Sequence, residues 1–159
     1  MISGKLIKGW SIALTFAIYH AVSYAGDAIT ATNAWVREAP PHADVSAGYL
    51  VLHNQTAQAH KLVGASSPQF KKTEIHEMKM NNGQANMHRV DELSIGPNGS
   101  VELKPGGYHL MLINPVRPLK AGDTVELKLQ FNDAPAITLQ ATVRKGDEEE
   151  HMHHHDMNM

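Results

Sequence analysis

The sequence predicts an all-β domain, a β-sandwich or a Greek-key barrel, and three observations predict it. Between Ile29 and Arg144 the chain runs as short β-branched and aromatic stretches separated by turn residues. One of these, Thr124-Val125-Glu126-Leu127-Lys128-Leu129-Gln130-Phe131, alternates strictly and sets Val125, Leu127, Leu129 and Phe131 on a single face. No stretch carries a helical apolar period with caps at its ends, and many short strands at this spacing are the pattern of a sandwich or barrel.

Each expected strand is bounded by its own punctuation. Strand 29–38 stops before Pro40-Pro41, and strands 45–54 and 58–65 follow. Strands 73–80 and 86–91 flank Asn82-Gly83, a pair suited to a tight hairpin turn. Strand 100–104 lies between Pro97-Asn98-Gly99 and Pro105-Gly106-Gly107, and strand 108–113 begins directly after. Strand 124–132 starts behind Ala121-Gly122-Asp123 and ends at Asn132-Asp133, leaving 136–144 as the last. A linker begins near Lys145, where Gly146-Asp147-Glu148-Glu149-Glu150 leads into a tail.

Composition narrows the chemistry. The chain has 159 residues, with 14 Lys and Arg against 16 Asp and Glu, a net charge of −2 that argues against nucleic acid as a partner. It has no cysteine, which excludes disulfides, thiolate metal sites, iron–sulfur centres, a thiol nucleophile and a lipidated cysteine. Against that absence stand 11 His and 8 Met. Most of them lie around 76–111 and at the extreme C-terminus.

The first 25 residues read as a cleaved export signal. Lys5 and Lys8 form a basic start, Trp10 to Val22 is mostly apolar, and Ser23-Tyr24-Ala25 supplies small residues at the cleavage positions. The apolar run is about 13 residues, short of the roughly 20 that span a bilayer, so no stable membrane insertion is expected after its removal. The expected organisation is a signal peptide at 1–25, a β domain at 26–144 and a flexible His/Met-rich metal-binding tail at 145–159. An exported chain without cysteine also avoids thiol oxidation.

Two of the strands carry an unusual outer face. On a strand, His76, Met78 and Met80 point one way and Glu77 and Lys79 the other. In Tyr108-His109-Leu110-Met111-Leu112 the residues Tyr108, Leu110 and Leu112 suit the core, and His109 and Met111 share the opposite face. Met87 follows the Asn82-Gly83 turn, where hairpin pairing brings it beside 76–80. Thioether sulfur is neutral and soft and selects Cu(I), while imidazole suits several metals, copper included. Taken singly, each Met reads as core filler and each His as a surface or satisfied polar group. Two strands that each pair the two types away from the core set a soft-metal site beside that plainer reading.

The arrangement resembles a known family. His76, ten residues, Met87, twenty-one residues, then His109-Leu110-Met111 matches the H-x10-M-x21-H-x-M signature of the periplasmic copper chaperones called PCuAC. Glu74-Ile75-His76-Glu77-Met78, the run from Glu102 through Lys104-Pro105-Gly106-Gly107-Tyr108 to Leu112, and Arg117-Pro118-Leu119-Lys120-Ala121-Gly122-Asp123 match as well, so the resemblance covers roughly 29–144. It implies a cupredoxin-like β-sandwich binding one Cu(I) at a shallow, exposed site. Carried over, the ligands are His76, Met87, His109 and Met111, with Met78 a neighbour. The protein is expected to be a periplasmic monomer and not an enzyme. Its copper would go to the copper-site subunit of cytochrome c oxidase, alongside Sco-type copper proteins.

The tail is a second candidate site, expected to take Cu(II). His151, Met152, His153, His154, His155, Met157 and Met159 crowd into nine residues behind an acidic lead-in. Interruption by Met, Asp and Asn separates it from a purification tag. Other histidines, His42, His53, His60 and His88, are expected to be structural or surface groups, with His88 facing away from Met87. Three further readings compete with a carrier that delivers metal: a periplasmic copper buffer that sequesters without specific delivery, a copper oxidase, and a sandwich module without metal. The sulfur-rich donor set counts against the oxidase, which usually needs a harder all-nitrogen Cu(II) set.

Overall fold

A computed structural model of the chain describes residues 28–146. The expected signal segment at 1–25 and the tail from Asp147 to Met159 lie outside the described residues. Ten strands form where alternation gives the backbone one apolar face to bury. They are β1 (Ile29–Arg37), β2 (Val45–Asn54), β3 (His60–Ser66), β4 (Phe70–Asn81), β5 (Gln84–Arg89), β6 (Leu93–Ile95), β7 (Ser100–Leu103), β8 (Tyr108–Pro115), β9 (Thr124–Phe131) and β10 (Ile137–Arg144). The order across the sheet is β5-β4-β8-β2-β1-β10-β9-β3-β6, with β7 paired to β2 off that path. All pairs are antiparallel except β1 with β10, whose parallel register sets Trp35 beside Thr142 and Arg37 beside Arg144.

One continuous core joins the two halves of this path. Leu50, Leu52, Ile75, Leu110 and Leu112 come from the half containing β2, β4 and β8, and Leu62, Ile95, Val125, Leu127, Leu129 and Val143 from the other. Every second residue of β9 is buried, as its alternation requires. The sheet does not close, since β5 and β6 end the path, so the architecture is an open sandwich and not the barrel also left possible by the strand spacing.

Two departures from the sequence reading have physical causes, and His60, expected to be a structural or surface group, proves to be structural. β4 begins at Phe70, earlier than expected, because Phe70 is buried even though the exposed Lys71 and Lys72 interrupt the apolar run. β6 was not expected: three residues give too short a pattern to register, yet Leu93 and Ile95 are buried against β3. His60 is a buried structural group, its Nδ1 2.8 Å from Asp133 Oδ1 and its Nε2 2.9 Å from Thr56 Oγ1.

Turn chemistry fixes the hairpin that matters most. Asn82 and Gly83 both take positive φ, 50° and 79°, the two-residue turn whose twist matches antiparallel strands. That turn sets Asn81 opposite Gln84 and thereby the register of all of β4 with β5. The connection from β8 to β9 is held by Asp123, whose Oδ2 accepts from Lys120 N (3.1 Å) and from Arg117 Nη1 (3.0 Å).

The Lys120 N–H and then the Arg117 guanidinium hold the Asp123 carboxyl below its ordinary 3.8. A depressed carboxyl contributes stability that is fully present above its unfolded pKa and lost as pH falls through the folded one. Asp123→Asn keeps the size and deletes the charge. Urea denaturation at pH 7 is expected to show the variant less stable than the parent, with the gap closing once the pH drops below the ordinary carboxyl range. A gap that stays constant down to that pH would show that the charge contributes nothing.

Candidate metal centre

The site is built by strand register. In the β4–β8 pair, Ile75 stands opposite Leu110 and both are buried, so the core claims that face. The next pair, His76 opposite His109, must then lie on the other face, and so must Glu74 opposite Met111. In the β4–β5 pair, Met78 stands opposite Met87, which puts Met87 on the same outer face as His76. Met111 is also paired with Ala47 of β2, a residue small enough to leave its thioether uncovered. Thus β4, β5 and β8 bring His76, Met87, His109 and Met111 to one face.

Exposure is graded across the group. His109 is buried, His76 and Met111 are half-buried, and Met87 is 48% exposed. The two imidazole rings stand 5.9 Å apart between centroids and are tilted by 38°. Met87, His109 and Met111 line a shallow depression of about 190 Å³ whose far wall is the chain from Arg37 to Pro40 with Val45, Ser46 and Ala47. His76 does not line it and joins the group through its ring contact with His109. A second groove of about 490 Å³ shares Arg37 to Pro40, Val45 and Ser46, and runs on to Phe70, Pro118 and Leu119. Gly146, the last described residue, lies against Arg37, close to where the two depressions meet.

Each imidazole has one nitrogen engaged and one left over. His109 Nδ1–H donates to the Gly107 carbonyl at 3.1 Å, leaving the lone pair on Nε2. Burial pushes the His109 pKa below its ordinary 6.5; the Gly107 hydrogen bond opposes this and the neighbouring His76 adds to it. The neutral, ligand-competent form therefore prevails at neutral pH. His76 Nε2–H donates to Glu74 Oε2 at 2.9 Å, and its Nδ1 is buried with no hydrogen-bond partner. An unpartnered buried ring nitrogen is open to a group that the protein does not supply, such as a water or an ion.

Glu74 orients His76 and stays ionised. Lys72 at 2.7 Å and then His76 hold its carboxyl down at about 2, with Arg89 adding a smaller pull. A carboxylate behind a ligand imidazole fixes the tautomer and raises ring basicity. On the opposite face Glu77 meets Lys79 (3.0 Å) and His88 (3.1 Å), so His88 faces away from Met87 as expected. Among the described residues no three His, Cys, Asp or Glu side chains converge on one point. Besides the two imidazoles, that face carries the thioethers of Met78, Met87 and Met111.

The structure brings the sequence candidates His76, Met87, His109 and Met111 to one face, and it adds two groups that hold the imidazoles and that the sequence reading did not single out. Glu74 lies two residues before His76, so strand alternation alone could have found it. The Gly107 carbonyl had no side-chain signal; the residue was read only as part of a turn. The tail candidates His151, Met152, His153, His154, His155, Met157 and Met159 fall outside the described residues.

An open β-sandwich with imidazoles and thioethers gathered on the outer face of one sheet edge defines a class of small ligand-bearing domain. The family described as "Putative lipoprotein LpqE-like" matches residues 29–143, and the chain belongs to that family, with a domain of the PCuAC type. "Putative lipoprotein Lxx21020" of Leifsonia xyli is 29% identical over 119 residues, 74% of this chain and 70% of that protein. The solution structure of CuI-DR1885 from Deinococcus radiodurans is 32% identical, covers 80% of this chain and 83% of that one, and superimposes with a TM-score of 0.60. The copper-bound PCuAC domain from PmoF2, 24% identical, shares the fold over 77% of this chain and 97% of its own, with a TM-score of 0.65. The cupredoxin-like fold is thereby shown.

The two imidazoles should be in opposite tautomers. Long-range proton–nitrogen NMR of the metal-free protein above pH 7.5 is expected to find His109 protonated on Nδ1 and His76 on Nε2. Finding His109 protonated on Nε2 would remove the lone pair from the side where the geometry needs it.

Proposed function

We propose that this domain is an exported copper carrier that binds one Cu(I) through His76, Met87, His109 and Met111. The observation that carries the reading is the in-register pair His76–His109, with an unpartnered Nδ1 on His76 and an engaged Nδ1 on His109, on the face shared by Met87 and Met111. Two neutral imidazoles and two neutral thioethers make a soft set that fits a monovalent soft ion and loses no proton on binding. A site on the outer face of an edge hairpin also suits exchange with a second protein. The copper(I) held by CuI-DR1885, 32% identical to this chain, supports the choice of metal.

In this reading the ion goes to the copper-site subunit of cytochrome c oxidase, with Sco-type proteins as co-workers, and the protein acts as a monomeric carrier and not as an enzyme. The lipoprotein names among its relatives support export to the periplasm, although none of the 159 residues is a cysteine that could carry a lipid. His151, Met152, His153, His154, His155, Met157 and Met159 of the tail bind additional copper, with the imidazoles taking Cu(II).

Met111→Leu retains volume and apolarity and removes the sulfur, so the fold should survive while Cu(I) affinity drops by about tenfold or more, about 1.4 kcal/mol, in competition with a chelator. Unchanged affinity would remove Met111 from the ligand set. The loaded protein is then mixed with a copper-free oxidase copper domain. Transfer supports a carrier, and retention of the ion supports a buffer that sequesters copper without specific delivery.

The tail reading has its own test. Truncation after Arg144 is expected to lower the Cu(II) stoichiometry seen by native mass spectrometry and to leave one Cu(I) bound. Equal Cu(II) stoichiometry in both forms would show that the tail is not a copper site.

A further inference from the structure

The β4–β5 hairpin carries two methionines that neither the core nor the four-residue site uses. Met80 is 65% exposed, and β5 is exposed along its whole length among the described residues. Methionine ordinarily fills core gaps. Here the register places Met78 opposite Met87 and Met80 opposite Ala85. Alternation then puts Met78, Met80 and Met87 on one face, continuous with His76 and His109. Directly opposed residues hold their Cβ atoms about 4.5–5.5 Å apart and diagonal ones about 7–8 Å, within reach of long thioether side chains. Ala85 fills little of the space beside Met80, which leaves that side chain room to lean toward Met87.

We propose that Met78, Met80 and Met87 form a three-thioether entry site for Cu(I), from which the ion passes into the four-ligand site by way of the shared Met87. The inference rests on the reading of His76, Met87, His109 and Met111 as that site. Three neutral sulfurs bind a soft monovalent ion and no hard one. Without imidazole they hold it more loosely than the inner set does. Transfer is a ligand exchange: the Cu–S bonds to Met78 and Met80 break while the Cu–N bonds to His76 and His109 and the Cu–S bond to Met111 form. Met87 stays bound throughout. The oxidation state does not change, and no proton moves because His76 Nδ1 and His109 Nε2 already carry lone pairs. The path is also held in place at its middle. The Gly107 carbonyl that accepts from His109 Nδ1–H also accepts from Met78 N–H at 3.1 Å, tying the outer methionine strand to the inner imidazole.

The test uses the full-length chain and the double variant Met78→Leu/Met80→Leu, which keeps the apolar surface and removes two sulfurs. Cu(I) is supplied as, and withdrawn by, a coloured chelator complex in stopped flow. Loading and release are both expected to slow several-fold, with equilibrium Cu(I) affinity unchanged. Rates equal to the parent would overturn the entry site and leave the patch merely apolar, as a protein-docking surface would be. A loss of equilibrium affinity would also overturn it, because Met78 or Met80 would then belong to the resting site. Independently, Ag(I) is titrated past one equivalent into protein labelled at the methionine methyls. Shifts at Met78 and Met80 are expected, and their absence counts against the proposal. Failure of the underlying reading is seen elsewhere, as unchanged Cu(I) affinity in Met111→Leu.

Discussion

The register of β4 against β8 is the constraint on which the rest depends. Ile75 and Leu110 face each other in the core, and that burial decides what the neighbouring pair does. A one-residue slip of β4 against β8 would turn His76 inward and force Ile75 into water while His109 and Leu110 kept their faces, so the hydrophobic core enforces the site geometry. Burying each of those two side chains is worth about 1.5–3 kcal/mol, far more than any surface contact at the site could supply. The β4–β5 hairpin then extends the same register outward through its Asn82-Gly83 turn and delivers Met87 to the face already chosen.

Electrostatics complement this mechanical arrangement. The four candidate donors are uncharged in the forms in which they would ligate, and the ionised Glu74 behind His76 is matched by Lys72 and Arg89. Its influence is thus directed through one hydrogen bond to His76 and is not spread as a field over the depression. The Gly107 carbonyl does comparable work for His109 with no charge at all. The two imidazoles are therefore held by unlike partners, one a carboxylate and one a backbone oxygen, and present different nitrogens.

Much of this was legible in the sequence, and the illegible part is non-local. Alternation in 108–112 separated Leu110 and Leu112 from His109 and Met111 correctly, and Asn82-Gly83 announced the hairpin that places Met87. What a linear reading could not supply was that β4 pairs with β8, across more than thirty residues, and that His76 would stand directly opposite His109. The same holds for His60 and Asp133, 73 residues apart, whose contact turns a histidine of no visible partner into a buried structural one. Open sandwich and closed barrel differ only in whether the terminal strands of the path meet, a property that the alternation of any one strand does not encode.

The parallel pairing of β1 with β10 gives the domain a head and a foot. The chain enters β1 at Ile29, which sits across from Asn54, and the site lies level with Trp35 and Arg37 at the far end of that strand. Six to eight residues of extended chain separate the two, roughly 20–26 Å. β10 runs the same way and leaves beside Arg37, next to the ligand face. A leash fastened ahead of residue 28 would therefore hold the domain by its foot and turn the metal-binding end outward, toward whatever it meets in solution. A group fused directly after residue 146 would instead crowd that end, so a reporter or affinity handle belongs just ahead of residue 28, behind the cleavage point expected at residue 25.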